Sequence, residues 1–169
     1  MEMSTVDLEG DLLDALASLV GAAREELAAA EAVEQRAAAL NALVERSSHR
    51  YVGRAAEELA RAVDALRAAS AARVPLAERA ATRLGCAAAA TLAELAEASP
   101  SPFDAELADL RARLDATARR VGALEEENRA LLGERIALVE AVLAGRCGEV
   151  APTYGRPPAS RPRLLRGVL

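Results

Sequence analysis

Few side chains in this sequence are suited to bond-making chemistry, and their spacing is that of contact rather than catalysis. There is one histidine, His49, set in the polar stretch Ser47-Ser48-His49 without ligand-type neighbours. Cys86 and Cys147 stand singly, without a C-x-x-C partner, so neither a zinc site nor a disulfide framework is suggested. No glycine-rich phosphate loop follows a strand, and no pair of carboxylates lies in a pocket-forming context. The run Glu125-Glu126-Glu127 reads as a solvated helix face. The expectation is therefore a protein that is not an enzyme and uses no metal and no cofactor.

The informative polar residues are Asn128, Arg135 and Tyr154. At about 100° per residue along a helix, Asn128 and Arg135 fall between two apolar flanks. Leu131, Leu138 and Val142 lie on one side, and Leu132, Ile136, Val139 and Leu143 on the other. Together they span roughly 160°, against the ~100° stripe that one packed neighbour requires. The expectation is that Leu131, Leu138 and Val142 pack against the chain's own helices. The other flank, with Asn128 and Arg135 at its edge, then receives a client protein. Asn128 on the seam is either a register device or a direct client contact. A buried unpaired guanidinium is prohibitively costly, so Arg135 either snorkels to solvent or pairs with a carboxylate, of this chain or of the client. Tyr154 is either an anchor for a partner pocket or an ordinary residue of a proline-flanked stretch.

A long helix must carry these residues. Ser99-Pro100-Ser101-Pro102 breaks the chain, after which Ser101 suits the N-cap, Pro102 the first helical position and Asp104 the third. Leu107, Leu110, Leu114, Val121, Leu124, Asn128, Leu131, Leu138 and Val142 then follow a heptad stripe up to a glycine stop at Gly145. Gly122 and Gly133 face away from that stripe; they either loosen the helix for a partner or are merely tolerated.

Upstream, Ser4 and Asp7 form a capping-box variant. Apolar residues from Leu12 to Val44 recur every three or four positions, the mark of one helix of about 40 residues. A second helix starts near Arg50, with a kink or restart expected at Val74-Pro75 and a cap at Gly85. Thr91-Leu92-Ala93-Glu94 is a T-x-x-E box for a short helix ending near Ala98. The fold class expected is all-α: an elongated antiparallel bundle or coiled coil of three long helices near 4–46, 50–84 and 101–145, with a short connecting helix at 91–98. Residues 1–147 form the helical domain. Residues 148–169, with Pro152, Pro157, Pro158 and Pro162, read as a disordered tail.

Composition agrees with helices and with protein partners. Hydrophobic residues make up 52 %, but aromatics only 2 % and tryptophan is absent, so Ala and Leu must fill the core. All 21 basic residues are arginine. Arg156, Arg161, Arg163 and Arg166 against Glu149 give residues 149–169 a charge of +3, which leaves −8 of the total −5 on residues 1–148. That charge disfavours nucleic acid as a partner of the body. No apolar run approaches the ~20 residues that cross a bilayer, so membrane insertion is not expected. The acidic start MEMSTVDLEGD is opposite to a secretory signal, and the expected location is the cytoplasm.

Asn128 followed by Leu131 and Leu132, the run IALVEAVLAG, and then Thr153-Tyr154-Gly155 resemble the C-terminal signature of the FlgN family of flagellar export chaperones. Arg129 stands where that family often has glycine, and Arg156-Pro157-Pro158 where an acidic residue often follows. The resemblance implies a cytoplasmic chaperone that binds hook–filament junction (hook-associated) proteins, prevents their premature assembly and delivers them to the flagellar export apparatus. It further implies that Tyr154 belongs to a segment docking on the export gate or another partner. The alternative is a structural coiled-coil or amphipathic granule-coating protein that uses the same helices to self-associate or to cover an apolar surface. Self-association is open under either reading.

Overall fold

The computed structural model describes residues 5–46 and 49–149, with side chains over 9–46 and 50–144. Tyr154, the rest of the expected tail after Glu149, the Ser4 cap and the Ser47-Ser48 break lie outside those residues, as do the side chains of His49 and Cys147. The protein is all-α. Four helices, α1 (Thr5–Glu45), α2 (His49–Leu84), α3 (Leu92–Ala98) and α4 (Phe103–Glu149), follow one another, with no strand among the described residues. The chain divides into two compact units, Met1–Gly133 and Glu134–Leu169.

In the first unit α1 is the shared wall. Its apolar period places Leu16, Leu19, Val20, Ala23, Leu27, Ala30, Val33, Ala37, Leu40 and Val44 in the interior. Leu13, on the edge of that stripe, remains exposed. α2 runs antiparallel to α1, as the pairs Asp11–Arg79, Glu26–Arg73 and Arg36–Glu58 require. α4 runs parallel to α1: Arg24 meets Glu106, Glu31 meets Arg113, and Glu34 meets Arg120. Most of these pairs are half exposed and worth at most about 1 kcal/mol each. They set register, while stability comes from the apolar residues, at roughly 1.5–3 kcal/mol for each large side chain fully buried.

The buried core joins Leu16, Leu19, Ala80, Leu95, Leu107 and their neighbours, where all four helices meet. Two local devices bring the chain there. Gly85, at φ 72°, closes α2: its N–H donates to Thr82 O, and Cys86 N–H donates to Ala81 O at 2.9 Å. This is the paired hydrogen bonding of a left-handed helix cap. Thr91 then starts α3 with a reciprocal box, its N–H donating to Glu94 Oε2 at 2.7 Å while its hydroxyl accepts from Glu94 N–H at 3.3 Å.

Two expected boundaries are corrected, and one of two alternatives at Pro75 is removed. α2 is one helix through Pro75, without a restart. Ala77, Ala80 and Ala81 pack into the core beyond the proline, and Arg73, Arg79 and Arg83 tie both sides of it to α1, which outweighs the lost ladder donor. α4 begins at Phe103 rather than at a Ser101 cap, because Pro100–Phe103 first closes a turn in which Phe103 N–H donates to Pro100 O at 3.0 Å. Gly145 does not stop α4, which continues to Glu149. A glycine terminates a helix when it takes positive φ; held in helical conformation it costs only about 1 kcal/mol. Among the described glycines only Gly85 has positive φ.

Candidate functional site

The residues singled out on α4 have very different surroundings. Asn128 is 7 % exposed, and its Nδ2 donates to the carbonyl oxygen of Ala37 on α1 at 3.1 Å. That contact is what a register device requires. Its Oδ1 is buried with no hydrogen-bond partner, as is Nδ2 of Asn41, one turn beyond Ala37 on α1. Arg135 is half-buried. Glu125, Glu126 and Glu127 are all exposed, and Glu125 pairs with Arg129.

The flank expected to receive a partner is open: Leu132 is 36 % exposed, and Ile136, Val139 and Leu143 are 57–60 % exposed. The opposite flank departs from expectation. Leu131 is half-buried, but Leu138 and Val142 are 58 % and 50 % exposed rather than packed. Helix length explains the difference. After the Ala37–Asn128 contact α1 has eight residues left and α4 has twenty-one, so the two cannot pair over the whole of α4. The result is a helical segment apolar over a wide arc, with five large side chains at least half exposed between Ile136 and Leu143. Single exposed apolar residues are ordinary; a contiguous set marks an interaction surface.

A concavity lies within the first unit. From Arg50 to Arg79 every α2 side chain is half-buried or exposed, so this stretch is not enclosed by its neighbours. A groove of about 840 Å³ opens here, walled by Ala30, Leu66, Leu92, Leu114, Ala118 and Val121. Glu26, 8 % exposed, lies against it and accepts from Ser70 Oγ and Arg73 Nε. Sequence reading did not single out this polar node. The signal was present, because Glu26 lies on the apolar stripe of α1 between Ala23 and Ala30.

The resolved shifts in acidity belong to helix joints. The Arg120 guanidinium, hydrogen-bonded through Nε and Nη2, holds the Glu34 carboxyl below its ordinary value despite some desolvation; Arg120 is raised in turn. The backbone N–H of Thr91, followed by its hydroxyl, lowers Glu94. Among the described residues no cluster of three or more His, Cys, Asp or Glu could hold a metal ion, and no helix is long and apolar enough to cross a membrane. What the α4 flank offers is apolar contact area. No protein-family model matches the chain, and no curated protein or solved structure matches it.

Proposed function

We propose that this protein is a cytoplasmic chaperone of the flagellar export type, an elongated helical bundle that holds hook-associated proteins before assembly and passes them to the export apparatus. The observation that carries the proposal is the open flank Leu132, Ile136, Val139 and Leu143, three turns of preformed helix presenting large apolar side chains. An amphipathic client segment, unfolded before assembly, folds against this flank as a helix and is thereby kept from self-assembly. Arg135 borders the contact, whereas Asn128 is buried against Ala37 of α1 and out of a client's reach; Tyr154 in the C-terminal segment is the docking residue for the export gate or another partner. The client's identity rests on the resemblance of the Asn128–Gly155 stretch to the FlgN family.

The test is titration calorimetry of the full chain with a purified hook-associated protein. Saturable binding that Ile136→Ala with Val139→Ala abolishes, without altering the helix signal, supports the proposal. Absence of binding, or binding indifferent to that pair, overturns it. The coiled-coil or coating alternative draws on Leu138 and Val142, whose exposure widens the apolar arc beyond what one client helix covers. Recovery of the protein on apolar particles, and not with hook-associated proteins, would establish that alternative.

A further inference from the structure

The open flank of α4 carries a pattern beyond its exposure. Leu132, Ile136, Val139 and Leu143 follow the alternating four-and-three spacing of core positions in a two-stranded coiled coil. With Ile136 and Leu143 at a positions and Leu132 and Val139 at d, Arg135 falls at g and Glu140 at e. In a parallel pair of helices a g residue faces the e residue five positions later on the other strand. Arg135 of one copy then faces Glu140 of the second, and symmetry repeats the pair. In an antiparallel pair over the same residues g faces g and e faces e, so Arg135 meets Val142 and Glu140 meets Gly133, and neither ion pair forms.

We infer that a second copy of this chain covers this flank, in a parallel, in-register pairing of α4 over Leu132–Leu143. Glu140 is exposed, and Arg135 is half-buried at the edge of the stripe, so both border the contact. Twelve residues are too few to nucleate an isolated coiled coil, but here the helix belongs to a folded chain and its ordering is not repeated on association. The pairing is accordingly weak and depends on concentration. It goes beyond client capture by giving the same flank an occupant when no client is present, so client and second copy compete.

Sedimentation equilibrium of the full chain across three decades of concentration tests this. The expected result is a reversible monomer–dimer equilibrium. Glu140→Arg alone, which sets arginine against arginine, weakens it by about tenfold or more, with Glu140→Gln falling between. Arg135→Glu combined with Glu140→Arg restores it to near the wild-type constant. Circular dichroism identifies any variant that has lost its helices, and the Glu140 variants alone decide the matter if the double variant is one. A wild-type chain that stays monomeric overturns the pairing and leaves client capture, read by calorimetry, standing. A dimer insensitive to Glu140→Arg places the second copy elsewhere, and a folded double variant without rescue excludes the parallel register.

Discussion

Asn128 Nδ2 reaches the backbone oxygen of Ala37 across the α1–α4 seam, while its own Oδ1 is buried without a partner. The amide is half satisfied, which aligns the helices at a net cost. Ala37 O is also placed to accept from its own helix, so removing the amide need not orphan it. Asn128→Leu is therefore expected to raise stability by about 1 kcal/mol and to weaken register, read as a higher melting temperature with broader spin-label distances between α1 and α4. A lower melting temperature would assign the amide a net stabilising role.

The α4 flank and the core are expected to respond oppositely. Ile136→Ala with Val139→Ala removes side chains that are already more than half exposed, so the melting temperature should move little while client affinity falls. Leu138→Ala with Val142→Ala should be similarly mild. Leu107→Ala, at a position with no exposure, is expected to cost about 2–5 kcal/mol. Denaturant titration of the three variants checks the contrast.

Gly85→Ala should cost about 1 kcal/mol through the backbone alone, because an added Cβ meets nothing within 4 Å but φ is 72°. Gly122→Ala, also in open space but inside a helix, should stabilise. Equal effects from the two in thermal melts would contradict the role given to Gly85.

The Glu34–Arg120 joint has a definite pH signature. Glu34 titrates lower in the folded chain than in the unfolded one, so its contribution is complete above the ordinary carboxyl range and is lost as pH falls through the depressed folded value. The melting-temperature advantage of wild type over Glu34→Gln should therefore be present at about pH 7 and gone once both forms are protonated. An advantage that persisted or grew in acid would mean the carboxyl is not held down by Arg120.

How much of this was legible in the residues depends on the kind of signal. The α1 stripe from Leu16 to Val44, the Gly85 cap and the Thr91 box are local or periodic patterns, and each stands in the structure as its chemistry dictates. Misreadings arose where tertiary context outweighs a local rule. A restart was one of the two outcomes expected at Pro75, because its ring costs a helix bond, but core packing beyond it and the Arg73–Glu26 pair before it hold α2 together. Leu138 and Val142 continue the stripe that buries Leu107 and Leu110, and periodicity does not reveal where the opposing helix ends. Glu26 was not singled out, although polar residues on an apolar stripe (Asn41, Thr117 and Asn128 are others) identify buried nodes.

The parallel pairing of α1 with α4 also sets an order of assembly. Arg36 and Glu58 are joined across a short hairpin, whereas Asn128 must find Ala37 across 91 positions of chain, and Arg113 must find Glu31 across 82. Closing the longer loop costs more entropy before any contact forms, and α4 leaves the ribosome after α1 and α2. The α1–α2 hairpin is thus expected to form first and to wait, its Ala-rich face uncovered, for α4. A nascent chain stalled before Ser99 would carry that face exposed, and would be the stage most open to aggregation or to early capture by another helix.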